Sequence, residues 1–270
     1  MTNTQPASFT GGIPTAYDRH LGPVLFEPFA REIARRVPIH EGVRLLETAC
    51  GTGIATRRML DHLPTSGRMV VTDLSQAMVD YAQTAVSHDP RIEWRAADAQ
   101  VLPFENDLFD AVVMQFGVMF LRDKALGLRE AKRVLKPGGR LLLNTWQSLE
   151  KNPFGRITEQ VLRSAFPVDP PTINRAQFAD HDPEQLQQRA EAAGFHDVVV
   201  ENVGFESMAE SAEHFAKGLI RGSAVSLAIG ARSGASHEEV EQLLVAALRR
   251  ELGDRPVRVE LNAWFVNATA

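Results

Sequence analysis

From residue 43 onward the chain alternates short apolar runs rich in β-formers with stretches of helical spacing. No other feature constrains the fold as strongly, because this alternation is that of a mostly parallel sheet wrapped by helices. The runs are "VRLLET", "RMVVTD", "RIEWRA", "FDAVVMQ", "RLLLNTW", "DVVVENV" and "VRVELNAWFV", so seven strands are expected. Punctuation between them agrees. Ser75 is expected to cap a helix carrying Met78, Tyr81, Ala82 and Ala85, and Pro137-Gly138-Gly139 ends the helix before the fifth strand. Asp182-Pro183 opens another helix and Gly194 closes it.

Two regions fall outside this repeat. Residues 13–37 place Tyr17, Leu21, Leu25, Phe26 and Phe29 at helical spacing, interrupted by Gly22-Pro23 and Pro28. Residues 205–254 are helical in character, with a capping box at Ser236 and Glu239 followed by Val240, Leu243, Leu244, Ala247, Leu248 and Leu252. The expected organisation is an amino-terminal helical lid over 1–40, a Rossmann-like core over 41–204, a helical cap inserted at 205–254, and a final core strand in 255–270. The apolar faces of the cap suit either closure over a substrate or contact with a second copy in a homodimer.

Charge and composition narrow the partners. The net charge is −5, from 29 Lys and Arg against 34 Asp and Glu, without the clustered basic stripe that binding a phosphate backbone needs. A nucleic-acid partner is therefore not expected. Cys50 is the single cysteine, which excludes an internal disulfide and any paired-cysteine metal site. The eight histidines show no H-x-x-x-H or H-E-x-x-H spacing, so no metal is expected. Neither a secretion-type leader nor a run of about 18 apolar residues is present, so the expected location is the cytoplasm.

The stretch "LLETACGTGIAT" carries the chemistry. Gly51 and Gly53 follow the first strand and precede a helix, where a parallel sheet binds its ligands. A dinucleotide would call for G-x-G-x-x-G and would set its pyrophosphate on the helix start. Here Thr56 holds the third position and Glu47 stands just upstream, opposing such an anion. A ligand with an ammonium and a sulfonium reverses that objection, and S-adenosylmethionine is such a ligand. Asp73, twenty residues beyond Gly53, sits where an acidic side chain accepts the ribose hydroxyls of an adenosine.

With these motifs in order, residues 13–204 resemble the class I S-adenosylmethionine-dependent methyltransferases, in particular the small-molecule group that includes the ubiquinone and menaquinone methyltransferases. "LLETACGTG", "VTDLSQAMVDYA", "AADAQVLPFENDLFDAVVMQFGVMF" and "EAKRVLKPGGRLLLNTW" carry the resemblance. It implies a Rossmann-like seven-strand sheet with an antiparallel last strand and helices on both faces. It also implies that Glu47, Ala49, Gly51 and Gly53 line the methionine portion, and that Asp73 takes the ribose beside Leu74 and Met78. Asp98 and Ala99 would meet the adenine, and Gln115 and Phe116 would face the sulfonium and the acceptor. Ala49 departs from the family, which usually has a glycine there.

Methyl transfer from a sulfonium is an in-line displacement, so the protein's tasks are alignment, exclusion of water and removal of an acceptor proton where one must leave. Tyr17 and Phe116 are the candidate aromatic wall, and Tyr17 also resembles the family's lid residue. His20 and His214 are the candidate bases. "MQFGVMF" is unlike the Asn- or Asp-Pro-Pro-Tyr motifs that methylate nucleic-acid or glutamine nitrogens, which points to a small-molecule acceptor of aromatic or lipophilic character. O-methylation is the first expectation, with C- and N-methylation close behind. The rivals are a non-catalytic S-adenosylmethionine-binding or regulatory protein of the same fold, and a nicotinamide-dependent oxidoreductase.

Overall fold

The structure, a computed structural model, describes residues 12–270; of the expected 1–40 lid, residues 1–11 lie outside the described part. The chain divides into two compact units. A sheet unit comprises Phe29–Trp146, Asp180–Val203 and Ala263–Ala270, and a helical unit comprises 12–28, Gln147–Ala179 and Gly204–Asn262. This partition differs from the expected one, since 147–179 group with the helical segments rather than with the core.

The seven strands are β1 (Arg44–Glu47), β2 (Arg68–Asp73), β3 (Ile92–Ala96), β4 (Phe109–Gln115), β5 (Leu135–Trp146), β6 (His196–Ala209) and β7 (Val257–Thr269). They form one sheet in the order β3-β2-β1-β4-β5-β7-β6. The strands from β1 to β5 pair in parallel, whereas β7 runs antiparallel to β5, with Asn144 opposite Phe265. Chain order reverses between β1 and β4, and this switch point is where an open α/β sheet leaves room for a ligand. The inner strands β1, β2 and β4 are almost wholly buried beyond their first residue, as parallel strands covered on both faces must be.

The helices in chain order are α1 (Ile13–Ala16), α2 (Glu27–Arg36), α3 (Ile54–Leu60), α4 (Gln76–Ala85), α5 (Lys124–Val134), α6 (Pro153–Ala165), α7 (Ile173–Ala176), α8 (Pro183–Ala192), α9 (Ala212–Arg221), α10 (Val225–Gly230) and α11 (His237–Leu252). On α5, Leu128, Ala131 and Val134 join Val112, Leu141 and Leu143 of the sheet in one apolar cluster. Within the helical unit, α9 packs against α11 and against residues 17–26. A Cβ on Gly218 of α9 would lie 2.7 Å from His20 Cβ and 2.7 Å from Leu21 Cδ2, so this close approach requires glycine.

Three local expectations change. Gly22-Pro23 does not interrupt the amino-terminal helix, because Tyr17–Phe26 takes a π-helical register that joins α1 to α2. The wider turn absorbs a proline that an α-helix would reject by clash with the preceding turn. β6 continues to Ala209, so the first residues of the expected cap are strand. Ser75 occupies the N-cap of α4, yet its hydroxyl makes no capping bond. Its N–H donates instead to Asp73 Oδ1 at 2.8 Å. The capping box of α11 forms as expected, with Glu239 N donating to Ser236 Oγ at 3.2 Å and Ser236 N to Glu239 Oε2 at 2.8 Å.

Candidate functional site

The loop after β1 is held from two sides. Thr48 N donates to Val113 O of β4, and Cys50 N to Thr72 O of β2, each at 2.9 Å. Between these anchors Ala49 adopts a left-handed conformation at φ 55°, followed by Gly51 at 55° and Gly53 at 79°. The alanine that departs from the family's glycine therefore keeps a glycine-like backbone, at a cost of roughly 1–2 kcal/mol. The two glycines serve different ends. A Cβ on Gly53 would lie 2.9 Å from Val86 Cγ2, so Gly53 permits packing, whereas a Cβ on Gly51 would meet nothing within 4 Å. Open space in front of Gly51 and a buried Thr52 Oγ1 without a partner among the described residues leave room and a polar contact for a ligand.

Two carboxylates flank this loop, Glu47 fully buried and Asp73 partly so. Glu47, at the end of β1, accepts from Thr56 Oγ1 at 2.5 Å and is 1% exposed. Burial pushes its carboxyl up to about 8; the Thr56 hydrogen bond opposes the rise and the Asp73 charge adds to it. Asp73, ending β2, accepts from Gly51 N at 2.9 Å and from Ser75 N at 2.8 Å. Burial also raises its pKa, against those backbone hydrogen bonds. Each Asp73 oxygen takes one of these N–H groups, so lone pairs remain for the two hydroxyls of a ribose. An acidic pair in a low-dielectric loop suits a cationic ligand and repels a pyrophosphate.

At the exits of β2 and β3, Leu74 is 54% exposed, unusual for a leucine beside a loop of buried residues. Met78 is buried on the inner face of α4. Asp98 is half-buried, and its Oδ1 accepts from Gln100 N at 2.8 Å, fixing the turn that follows. Ala99 is buried within the apolar cluster of α5. Val101, 69% exposed, is a further apolar side chain after β3 that sequence reasoning did not single out. Exposure of a large aliphatic group is the signal that marks it, and exposure is not written in a sequence.

The exit of β4 is aromatic and strained. Gln115 lies opposite Asn144 of β5, and Phe116 is left-handed at φ 51°. The Phe116 ring stacks on Trp146 with centroids 4.1 Å apart, and Phe29 meets it edge-on at 5.2 Å. Phe116 is thus buried in an aromatic cluster, while its backbone neighbour Gly117 would bring a Cβ to 2.6 Å from Ala49 Cβ. The loops after β1 and β4 therefore touch at Ala49 and Gly117.

The remaining candidates lie in the helical unit. Tyr17 stacks on Phe26 at 4.8 Å. His20 and His214, 194 residues apart in sequence, meet with Nδ1 of the first 2.9 Å from Nε2 of the second. Burial lowers the His20 pKa to about 4, assisted by His214, Lys217 and Arg19 and opposed by Glu210. One ring donates and the other accepts, an arrangement available to neutral imidazoles. Among the described residues no group of three or more His, Cys, Asp or Glu side chains could hold a metal ion. None of the described helices is long and apolar enough to cross a membrane.

A relative from Geobacter sulfurreducens, the ubiquinone/menaquinone biosynthesis C-methyltransferase UbiE, is 34% identical over 131 residues, covering 47% of this chain and 51% of the relative. The demethylmenaquinone methyltransferase of Staphylococcus haemolyticus is 25% identical over 201 residues, covering 70% of this chain and 84% of the relative. The chain spans about half the length of the first curated relatives it matches. Among solved structures, a Haemonchus contortus phosphoethanolamine N-methyltransferase in complex with S-adenosyl-L-methionine superposes with a TM-score of 0.60 at 20% identity, covering 95% of this chain and 56% of the other. The cyclase SpnF superposes at 0.53 with 22% identity, covering 90% and 80%. Both likenesses concern the fold. The ubiE/COQ5 methyltransferase family model matches residues 26–168, more than half of the chain and the whole of the β1–β5 region that carries the carboxylate-flanked loop. The chain belongs to the ubiE/COQ5 methyltransferase family.

Proposed function

We propose that this chain transfers a methyl group from S-adenosylmethionine to a ring carbon of a small hydroquinone-like acceptor. The observation that carries the reading is the pair of carboxylates, buried Glu47 and half-buried Asp73, around an open left-handed loop at the switch point of the sheet. Glu47, Thr52 and Gly51 would hold the methionine end, Asp73 the ribose, and Leu74 and Asp98 the adenine. Met78 would support that edge from the core, since its side chain is buried. When bound, the cofactor supplies an electrophilic methyl group on a sulfonium. The chain's own work is to align the acceptor and to exclude water.

The name of the Geobacter sulfurreducens relative, a C-methyltransferase, favours C-methylation over the O-methylation expected first. A ring carbon becomes nucleophilic when a neighbouring hydroxyl loses its proton, so a base is useful. Tyr17, His20 and His214 are proposed for the acceptor's side of the reaction. Burial lowers the His20 pKa to about 4, so that ring is neutral at pH 7 and can accept a proton, though only weakly. The test is transfer of labelled methyl from S-adenosylmethionine to 1,4-dihydroxynaphthalene under anaerobic conditions, with the position of the new methyl read by mass spectrometry and NMR. Label on a ring carbon supports the reading. Label on oxygen would restore O-methylation, and cofactor binding without transfer to any phenolic acceptor would favour the non-catalytic rival.

A further inference from the structure

Asn144 of β5 lies opposite Gln115 and is wholly buried. Its Oδ1 accepts from Phe116 N at 2.8 Å, and its backbone carbonyl accepts from the same N–H at 3.2 Å. That hydrogen bond fixes the orientation of the carboxamide, because only the oxygen can accept. The other end, Nδ2, is buried without a hydrogen-bond partner among the described residues. Leaving an amide donor unpaired in a protein interior is costly, and an aspartate or a serine could hold Phe116 N as well. The two N–H groups of Nδ2 therefore call for a partner that the described residues do not supply.

Two considerations identify that partner. The cofactor-facing groups Glu47, Thr52, Asp73 and Asp98 stand at the exits of β1, β2 and β3, whereas Asn144 is on β5, on the far side of β4 from β1. At about 4.8 Å between neighbouring strands, β5 is roughly 10 Å from β1. Asn144 is therefore displaced from the cofactor groups toward the strand exit where the strained Phe116 sits. A neutral N–H donor also needs a lone pair. An amine about to be methylated must offer its own lone pair to the methyl group. A phenolic oxygen beside a reacting carbon is free to accept, and donation to it steadies the phenolate as its proton leaves.

We propose that Asn144 donates through Nδ2 to an oxygen of the methyl acceptor, so that it selects an oxygen-bearing aromatic ring; this rests on the methyl-transfer reading above. The side chain thereby has two tasks: Oδ1 holds the left-handed turn at Phe116, and Nδ2 reads the acceptor.

The experiment uses the full chain, labelled with 15N-asparagine and loaded with S-adenosylhomocysteine, and compares 1,4-dihydroxynaphthalene with naphthalene. The Asn144 side-chain amide signal, assigned by its absence from Asn144→Asp and Asn144→Ser, is expected to move downfield with the diol and to stay in place with naphthalene. Equal movement with both probes, or with neither, overturns the proposal. In turnover, Asn144→Asp keeps an acceptor for Phe116 N and loses the donor. It should raise the KM for the diol about tenfold or more while the cofactor Kd stays within about twofold. A parallel rise of both constants would show that Asn144 serves the Phe116 turn alone. Failure of wild-type protein to bind S-adenosylmethionine in a calorimeter would sink the methyl-transfer reading itself. Binding with an unmoved amide signal would sink only the role of Asn144.

Discussion

At the scale of single residues, Glu47 joins chemistry to stability. Its carboxyl is held at about 8 by burial, so between its ordinary value and pH 8 the folded chain binds this proton and the unfolded chain does not. The contribution is fully present below the ordinary carboxyl range and is lost as pH rises through about 8. Glu47→Gln, which has no proton to lose, should flatten the decline of stability from pH 5 to pH 8 in denaturant titrations. A cationic ligand favours the ionised form, so binding at pH 7 should release up to one proton, and affinity should rise with pH until about 8. Calorimetry in buffers of different ionisation enthalpy measures that release, and none would mean that Glu47 does not meet the ligand's charge. Ala49 offers an independent check. Ala49→Gly removes a left-handed Cβ and should stabilise the chain by up to about 1 kcal/mol in equilibrium unfolding, with cofactor affinity equal to or tighter than wild type. A destabilised variant would mean that the Ala49 Cβ contact outweighs its backbone strain.

At the scale of elements, the strands were legible because parallel strands buried on both faces are written as continuous apolar runs, and β1, β2, β4 and the second half of β5 match those runs closely. What was not legible is long-range or half-exposed. β6 alternates burial along a sheet edge and runs past Val203 through "GFESMA", a stretch with a glycine and a charge that composition alone does not mark as strand. The π-helical register at Tyr17–Phe26 was hidden because Gly22-Pro23 reads as a break unless the wider turn is known. The glycine loop and Asp73 could be found from spacing, but neither the meeting of His20 with His214 nor the hold of Asn144 on Phe116 has a local signature. The histidine contact makes its own prediction. With the His20 pKa lowered to about 4, the unfolded chain binds more protons than the folded one between about 4 and 6.5. Stability should therefore rise with pH across that window and be complete above it. His20→Asn should remove part of that slope in acid titrations followed by circular dichroism, and an unchanged slope would mean that other groups set it. Gly218→Ala, which drives a methyl into His20 and Leu21, should cost about 1–3 kcal/mol.

At the scale of the whole molecule, the claim is that the chain's stability and its ligand are linked through one loop. A ligand that binds only the folded state stabilises it by about 2.7 kcal/mol at a hundredfold excess over its Kd, or roughly 5 to 10 °C in the unfolding midpoint of a chain this long. S-adenosylmethionine should produce that shift in the wild-type protein, whereas a nicotinamide dinucleotide should produce none, since its pyrophosphate would face Glu47 and Asp73. Asp73→Asn separates binding from folding. A carboxamide oxygen can still accept from one of Gly51 N and Ser75 N but not from both, so the ligand-free midpoint should fall less than in the alanine variant. The charged acceptor for the ribose hydroxyls is lost, and charge-assisted bonds are about twice as strong as neutral ones, so most of the ligand-induced shift should disappear. Asp73→Ala, which removes both backbone bonds as well, should lower the ligand-free midpoint and abolish the shift. A full shift in Asp73→Asn would place the ribose elsewhere and leave the carboxylate as a brace for the loop. A lowered ligand-free midpoint with a full shift would separate those two roles in favour of the brace.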